Sequence, residues 1–361
     1  MSQRIANRLE KLRHLLAEKE IDAILISQPE NRYYLSGFWG SAGSLLISQK
    51  DAILATDFRY IEQAKIQAPD FSIFRITGEV GEWFPKLIAD LTLGKLGFEA
   101  GHVTFELYRK LTTALSEKQS ALKLIPQEEL VESLRIIKEA EEIELIARAA
   151  AIGDKAFEHI ESVIRPGMTE KQAAWEIEKF LREHDSQSMS FDVTVAAGAN
   201  AALPHHHPSD QPIREGESIV MDFGARVAGY TSDLTRTICL GSPDDKFKKV
   251  YDIVLGAQLA AIAIIKEGMT GKEADSLART VIKEAGYDEY FGHGLGHGVG
   301  LQTHEAPRLS YLSSDVLKSN MVFSIEPGIY LPGWGGVRIE DLVVLEGGKV
   351  RVISQARKVA K

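Results

Sequence analysis

The amino-acid sequence predicts an α+β protein, in which an N-terminal α/β domain with a mixed sheet precedes a C-terminal domain of two related α+β halves. Three observations support this fold class. Helix and strand patterns alternate over residues 1–126, a short motif occurs twice in residues 127–361, and an acidic pair placed around a turn follows each copy of that motif. The 361 residues are enough for two domains, which we place at 1–126 and 127–361.

The first domain begins with an amphipathic helix, because Ile5, Leu9, Leu12 and Leu16 recur at helical spacing. Short apolar runs predict strands at 21–26, 43–47, 52–55, 72–76, 95–98 and 121–125. Helical patterns lie between them at 60–67, 83–91 and 105–115. No glycine loop of the phosphate-binding kind occurs in this region, so we do not expect a nucleotide site.

The composition indicates a soluble globular protein, with 44% hydrophobic and 26% charged residues. A net charge of −9 argues against a nucleic-acid partner, which usually requires a basic face. The N-terminus is charged, and no run approaches the roughly 18–20 apolar residues of a membrane span. We therefore expect a cytoplasmic protein with no membrane partner. Cys239 is the only cysteine, so no intrachain disulfide framework is expected.

The second domain contains an internal repeat, in which residues 164–173 (IRPGMTEKQA) match residues 265–274 (IKEGMTGKEA). Each copy opens a helix with a capping box, formed by Thr169 with Gln172 and by Thr270 with Glu273. A helical run over 127–148 precedes the first copy. The repeat predicts two related halves that face each other across a cleft.

Each half contains two carboxylates on strands that flank a turn. Asp222 and Asp233 lie on either side of Ala228-Gly229, and a simple hairpin would set the two side chains opposite each other. Glu326 and Glu340 lie symmetrically about Gly333, inside the turn sequence 332–336. Like charges directly opposite on paired strands are destabilising, which indicates a cation between them.

A histidine from the glycine-dense stretch 292–300, His297, completes a candidate ligand set of four carboxylates and one imidazole. Such oxygen-rich ligation suits Mn²⁺, Co²⁺ or Fe²⁺, whereas Zn²⁺ is less typical and Ca²⁺ is not expected. Four negative ligands can neutralise two divalent ions, so we expect two ions per chain. Exposed acids are common, but Asp222 and Glu326 follow apolar runs that are typical of buried strands.

The chain resembles the pita-bread metallopeptidases in the motifs that carry these residues. The matching segments are Asp222-Phe223-Gly224, 231–237, 293–301, Glu326-Pro327-Gly328 and 336–341. The N-terminal domain, including residues 31–37 and 56–60, resembles that of the Xaa-Pro peptidases, namely aminopeptidase P and prolidase. The resemblance covers nearly the whole chain and implies hydrolysis of the bond between an N-terminal residue and a following proline.

The resemblance also implies roles for the ligands. Asp222 would bind one metal, Asp233 and Glu340 would bridge two, and His297 and Glu326 would complete the second site. The metals would be Mn²⁺ or Co²⁺, with Zn²⁺ or Fe²⁺ as alternatives, and would hold a bridging hydroxide. Glu326 would also be the general acid and base that transfers a proton to the leaving proline nitrogen.

Further residues take roles from the same resemblance. His205 would lie near the substrate, His304 would donate to the tetrahedral intermediate, and His293 would line the proline pocket. Arg338 would orient a carboxylate ligand, with an exposed strand arginine as the alternative. We expect the neighbouring His206 and His207 to be solvated loop residues. Phe38 and Trp39 lie in a loop that can reach a neighbouring subunit in this family, or else belong to the core, and a homodimer is expected.

Several functions stay open at this point. The main interpretation is an Xaa-Pro aminopeptidase, and the alternative is an Xaa-Pro dipeptidase. A methionine aminopeptidase would share the five ligands but normally lacks the N-terminal domain. Creatinase resembles the whole architecture but lacks the ligand set. A non-catalytic binding protein on this fold is a further alternative, because a fold alone does not determine a function.

Overall fold

A computed structural model describes residues 3–358, which form two compact units divided between Arg135 and Ile136. The sequence places this boundary earlier, at 126/127. The difference has a local cause, because the strand Lys123–Gln127 belongs to the sheet of the first unit. The helix Glu132–Arg135 then follows, and Arg135 donates a hydrogen bond to Asn31 Oδ1 at 2.7 Å.

The first unit is built on one six-stranded mixed sheet. Its elements are α1 (Gln3–Glu18), β1 (Ala23–Ile26), α2 (Pro29–Ser36), β2 (Ser44–Ser48), β3 (Ala52–Thr56), α3 (Ile61–Gln67), β4 (Ser72–Arg75), α4 (Val80–Ile88), β5 (Lys95–Glu99), α5 (Phe105–Glu117), β6 (Lys123–Gln127) and α6 (Glu132–Arg135). The strand order is β4-β3-β2-β1-β5-β6. Strand β2 is antiparallel to both neighbours, and the remaining pairs are parallel, which confirms the predicted mixed sheet.

The second unit contains two helix-and-sheet halves. The first half consists of α7 (Ala140–Val163), α8 (Glu170–Glu183), β7 (Thr194–Ala197), β8 (Ser218–Phe223), β9 (Arg226–Val227), β10 (Tyr230–Thr231) and β11 (Leu234–Cys239). The second consists of α9 (Asp245–Ile264), α10 (Gly271–Glu284), β12 (Gly296–Gly298), β13 (Glu305–Leu309), β14 (Val322–Ile325), β15 (Gly328–Leu331), β16 (Gly335–Arg338), β17 (Asp341–Glu346) and β18 (Lys349–Val352). The main sheets have the orders β11-β8-β7 and β13-β12-β14-β17-β18.

The internal repeat of the sequence is a structural repeat. Both capping boxes form, at Thr169 before α8 and at Thr270 before α10. After each box, a backbone amide binds a segment that leads to a carboxylate strand: Lys171 N donates to Ser209 O, and Lys272 N donates to Ser313 O, each at 3.1 Å. The two halves therefore use the same contacts to hold the segments 203–213 and 304–317.

The second carboxylate hairpin has the predicted register. Strands β14 and β17 pair Ile325 with Asp341, and β15 and β16 pair Gly328 with Arg338. Glu326 and Glu340 therefore occupy matching positions between these two ladders, with the turn centred on Gly333 as expected.

The register expected for the first hairpin is wrong. Strands β8 and β11 pair Asp222 with Thr235, so Asp222 and Asp233 lie diagonally rather than opposite each other. The ladder is interrupted between β8 and β9, where Ser232 N donates to Ala225 O at 2.8 Å. A Cβ on Gly224 would lie 1.9 Å from Ser232 O, so only glycine permits this close approach.

Each half has its own apolar core. Helices α7 and α8 cover the first sheet and bury Phe157, Ile177 and Met221, whereas α9 and α10 cover the second and bury Val254 and Phe323. Within residues 3–358, no helix combines the length and the apolar character needed to cross a membrane.

Candidate metal centre

All five predicted ligands line one cavity of about 570 Å³ in the second unit. Asp233, Glu326 and Glu340 lie next to the ends of strands in the two hairpins. Two backbone hydrogen bonds hold the second hairpin in place. Glu326 N donates to Leu295 O at 2.8 Å, and Glu340 N donates to Thr235 O at 3.1 Å. Because Leu295 precedes β12 and Thr235 belongs to β11, these bonds bring both hairpins and the His297 strand to the same cavity.

Ligand atoms of Asp233, His297 and Glu340 lie within 4.8 Å of one another. His297 Nε2 is 3.2 Å from Glu326 Oε1 and 3.7 Å from Asp233 Oδ2. The other ring nitrogen, Nδ1, lies 3.1 Å from Gly298 O, which favours the tautomer with the proton on Nδ1. Nε2 is therefore free to act as a metal ligand.

Two buried carboxylate oxygens in this cluster, Asp222 Oδ1 and Glu340 Oε1, make no hydrogen bond to any described residue. A buried acceptor without a partner costs about 1–3 kcal/mol, and more when it is charged. A divalent cation would satisfy both oxygens and offset the repulsion between the four carboxylates. The residues present therefore fit the divalent metals that the donor set predicts.

The pKa values of the cluster also show that it carries an excess of buried negative charge. Burial and the charges of neighbouring carboxylates raise the pKa values of Asp233 and Glu340 well above their ordinary range. Burial alone would lower the pKa of His297, but Glu326 and Glu340 raise it to about 9. Burial alone would raise the pKa of Glu326, but His297 lowers it to about 2. Without metal, the His297 proton partly takes the place of a cation.

Arg338 orients two of the carboxylates. Its Nη2 donates to Asp222 Oδ2 at 2.6 Å, and its Nε donates to Thr235 Oγ1 at 3.1 Å. The Thr235 hydroxyl in turn donates to Glu340 Oε2 at 2.7 Å. Because Arg338 is only 4% exposed, the alternative of an exposed strand arginine does not hold.

The predicted histidines His205, His293 and His304 line the same cavity. His293 is bonded through Nε2 to the hydroxyl of Tyr330 at 2.9 Å, and burial lowers its pKa. The ring centroid of His304 lies 4.3 Å from that of His297. Burial and the charge of His297 lower the pKa of His304, which favours a neutral imidazole.

The expectation that His206 is a solvated loop residue is wrong. Its Nε2 lies 2.8 Å from Oε2 of Glu170, a carboxylate that is fully buried, and the His206 side chain is only 13% exposed. His207 is exposed, as expected. In the first unit Phe38 is fully buried, which matches the core alternative, whereas Trp39 is 43% exposed and packs edge-on against Tyr33.

Two residues of the cavity region escaped the sequence analysis. Arg308 lines the cavity and pairs with His297 across β12 and β13. No local pattern marks Arg308, because His304 lies just outside β13 and the register between β12 and β13 shifts next to His297. Tyr330, which bonds to His293 and to Arg338, lies in the apolar strand β15 and likewise carries no signal of its role.

The chain is similar to known proteins over nearly its whole length. Residues 144–346 match the model of metallopeptidase family M24, and residues 8–137 match the creatinase/prolidase N-terminal domain. The chain is 39% identical to the Xaa-Pro dipeptidase of Pyrococcus furiosus over 97% of its own length and 99% of that protein's.

Two solved structures are similar to nearly the whole chain. The Xaa-Pro dipeptidase from Bacillus anthracis superposes with a TM-score of 0.95 at 45% identity, covering 99% of both chains. The X-Pro aminopeptidase from Thermotoga maritima superposes with a TM-score of 0.88 at 39% identity, covering 96% of this chain and 99% of the other. The resemblance read from the sequence motifs is thereby confirmed, and the chain belongs to metallopeptidase family M24, with an N-terminal domain of the creatinase/prolidase type.

Proposed function

We propose that this M24 metallopeptidase is an Xaa-Pro dipeptidase, which hydrolyses dipeptides with proline in the second position. The sequence favoured an aminopeptidase and kept the dipeptidase as the alternative. The names of the similar proteins support the alternative better, since Xaa-Pro dipeptidases stand among the similar sequences and solved structures.

The observation that carries the dipeptidase proposal is Arg308. Arg308 lines the cavity of the carboxylate cluster, and its charge acts on His304, whose pKa it helps to lower. Its side chain is exposed and forms no salt bridge within residues 3–358. In a dipeptide, the terminal carboxylate lies only two bonds beyond the nitrogen of the scissile amide. A cation in the cavity wall can therefore pair with that carboxylate, whereas a longer peptide has a neutral amide at the same place.

We assign the ligand roles to Asp222, Asp233, His297, Glu326 and Glu340, which would hold two divalent ions. Bound there, such ions would supply an acidified water and polarise the scissile carbonyl. The metals proposed are Mn²⁺ or Co²⁺, because the donor set is rich in oxygen and contains one imidazole.

The remaining steps belong to the protein's own side chains. Glu326, whose carboxylate lines the cavity, can accept a proton from the attacking water and return it to the proline nitrogen. His304, with its lowered pKa, is a neutral imidazole that can donate one hydrogen bond to the oxyanion. His293, fixed by Tyr330, would line the proline pocket, and His205 would contact the substrate.

The test compares Ala-Pro, Ala-Pro-amide, Ala-Pro-Ala and Met-Ala after loading with Mn²⁺ or Co²⁺. We expect Ala-Pro to be cleaved best. Arg308→Ala should lower kcat/KM for Ala-Pro by about 10–100-fold, because a bond to a charged group contributes about 1.5–3 kcal/mol, and should leave Ala-Pro-amide nearly unchanged.

Arg351→Ala is the matched control, since Arg351 of β18 pairs with Glu346 of β17 and both side chains are about half exposed. Equal or faster cleavage of Ala-Pro-Ala by the wild type would favour the aminopeptidase instead. Preference for Met-Ala would indicate a methionine aminopeptidase, and no turnover of any peptide would indicate a binding protein.

We also propose a homodimer, which the family resemblance and the exposed Trp39 support. Light scattering of the purified protein at micromolar concentration should give about twice the 39.9 kDa of one chain. A mass of one chain would contradict the dimer without affecting the proposed activity.

A further inference from the structure

An acidic side chain outside the proposed reaction occupies the first turn of α8. Glu170 is fully buried, and its counterpart in the internal repeat is Gly271. A Cβ on Gly271 would lie 2.0 Å from Arg308 O, so backbone fills this space in the second half. In the first half the same position carries a carboxylate that faces the segment 197–209. The two halves thus diverge here despite their shared backbone contacts.

Both oxygens of Glu170 are saturated with donors from this one segment. Oε1 accepts from Ala197 N at 2.8 Å and from Asn200 Nδ2 at 3.0 Å. Oε2 accepts from His206 Nε2 at 2.8 Å, from Ser209 N at 2.9 Å and from Ser209 Oγ at 2.6 Å. Burial alone would raise the pKa of Glu170, but these bonds lower it, so the carboxylate is ionised at neutral pH. One charge ties together both ends of the segment.

The segment carries His205 into the cavity of the carboxylate cluster. On one side of His205, Pro204 O accepts a hydrogen bond from Arg338 Nη1 at 3.4 Å. On the other side, His206 is bonded to Glu170. Because His205 is exposed, its ring is not held by surrounding side chains. The hydrogen bonds of Pro204 and His206 fix the backbone on either side and so restrain where the ring can lie.

We propose that Glu170 and His206 are positioning residues, which hold His205 at the substrate by fixing the loop on which it lies. This inference rests on the proposed function, because it requires that His205 contributes to Xaa-Pro hydrolysis. Neither residue would touch the metals, so their effect should be separable from metal binding.

The variants change the hydrogen bond between His206 Nε2 and Glu170 Oε2. Glutamine can place an amide N–H close to the position of histidine Nε2, so His206→Gln should keep kcat/KM near the wild-type value. His206→Ala removes the donor and should lower kcat/KM for Ala-Pro about tenfold, because small misplacements of catalytic groups cost rate steeply. Glu170→Gln sets an amide against the donors of Ser209 and should cost at least as much. Metal content should stay complete in all three.

Asp210→Asn is the matched control, since Asp210 lies in the same loop and pairs with the exposed Lys171 at 2.7 Å. Exposed pairs of this kind contribute little to stability. We expect wild-type kinetics and an unchanged melting temperature for this variant.

A double-mutant cycle with His205→Ala separates positioning from general support of the fold. If His206 acts through His205, then His206→Ala should have no further effect on kcat/KM once His205 is alanine. The single variants should also change the same parameter, kcat or KM, that His205→Ala changes.

Wild-type kinetics for His206→Ala would overturn the inference, as would effects that multiply in the cycle or that follow lost metal. Should Glu170→Gln fail to fold, the His206 variants and their cycle with His205→Ala still test the inference, because His206 is partly exposed. An active wild type combined with an unimpaired His205→Ala would overturn this inference but leave the proposed function standing. A metal-loaded wild type that cleaves no Xaa-Pro peptide would overturn both.

Discussion

At the scale of single residues, the centre gathers side chains that would otherwise disfavour the folded state. Asp233 and Glu340 are buried with their charges close together, and Glu340 has an oxygen without a hydrogen-bond partner among the described residues. Arg338 offsets part of the charge through Asp222, and His297 offsets another part through Glu326. A divalent metal would neutralise the remaining negative charge. Removing one of the carboxylate charges should therefore weaken metal binding but should not destabilise the metal-free protein.

Asp233→Asn should lose metal and activity together, because it removes a proposed bridging ligand. The metal-free variant should be at least as stable as the metal-free wild type, since the amide lacks the charge that its neighbours repel. Elemental analysis after Mn²⁺ loading and melting curves with a chelator measure both effects. Asp245→Asn, at an exposed helix start, is the control for a lost charge. Full metal content in Asp233→Asn would remove this residue from the ligand set.

His304→Ala should keep its metal and lose turnover. His304 lies against His297 but is not among the five proposed ligands. If its hydrogen bond forms mainly in the transition state, kcat and kcat/KM should fall together by about 10²–10³. Kinetics on Ala-Pro, metal content and the melting temperature of the one variant suffice. Unchanged turnover at full metal occupancy would exclude His304 from the mechanism.

At the scale of secondary-structure elements, glycines allow the carboxylate strands to approach one another. His297 lies between Gly296 and Gly298 in the three-residue strand β12. A Cβ would lie 2.0 Å from Ser324 O at Gly296 and 2.1 Å from Ala306 O at Gly298. The glycine-dense stretch is therefore a packing requirement, which places the His297 imidazole among ligands carried by other strands.

Gly296→Ala should destabilise the protein by about 1–3 kcal/mol, because the added methyl overpacks a buried strand, and should also weaken metal binding. Gly256→Ala is the opposite control, since Gly256 lies within α9 and a Cβ there would contact nothing within 4 Å. That change should stabilise the helix by about 0.5–1 kcal/mol. Chemical denaturation of both variants measures the difference. Equal stabilities would show that the strands can move apart without loss.

At the scale of the whole molecule, metal binding and folding stability are coupled through protons. In the metal-free protein, the raised pKa values of Asp233 and Glu340 mean that the folded state holds protons that the unfolded state releases. Stability should therefore fall as pH rises above the ordinary carboxylate range of about 4. The pair of His297 with Glu326 adds stability that is fully present between about pH 4.5 and about pH 6.5, the ordinary pKa values of the two groups. This stability is lost as pH rises through about 9, where His297 loses its proton, and as pH falls through about 2, where Glu326 gains one.

Metal should reverse this trend, because bound ligands must be deprotonated and binding therefore releases protons. The increase in melting temperature caused by Mn²⁺ should grow between about pH 5.5 and pH 8.5. Scanning calorimetry of chelated and loaded samples across this range measures the increase. Asp245→Asn should follow the wild type, because it alters a charge outside the cluster. An increase that does not depend on pH would contradict the proposed protonation of the metal-free cluster.

Local sequence patterns predict much of this fold and the second carboxylate hairpin. Apolar periodicity located α1, α3, α4 and α5 and the strands of the mixed sheet, whereas α2 was not predicted and the helical run predicted over 127–148 divides into α6 and the start of α7. The repeated capping boxes at Thr169 and Thr270 revealed the two halves. The symmetry about Gly333 placed Glu326 opposite Glu340 correctly. These features are local, because capping, turns and burial patterns depend on residues close together in the chain.

Features that depend on pairing between distant segments of the chain could not be predicted from these local patterns. The interruption at Gly224 moves Asp233 out of register with Asp222, and no local pattern marks it. Arg308 reaches the cavity because β13 pairs with β12, and His206 meets Glu170 across 36 residues of chain. A sequence pattern indicates which face of a strand or helix is buried, whereas the packing of the whole molecule selects the neighbour that this face contacts.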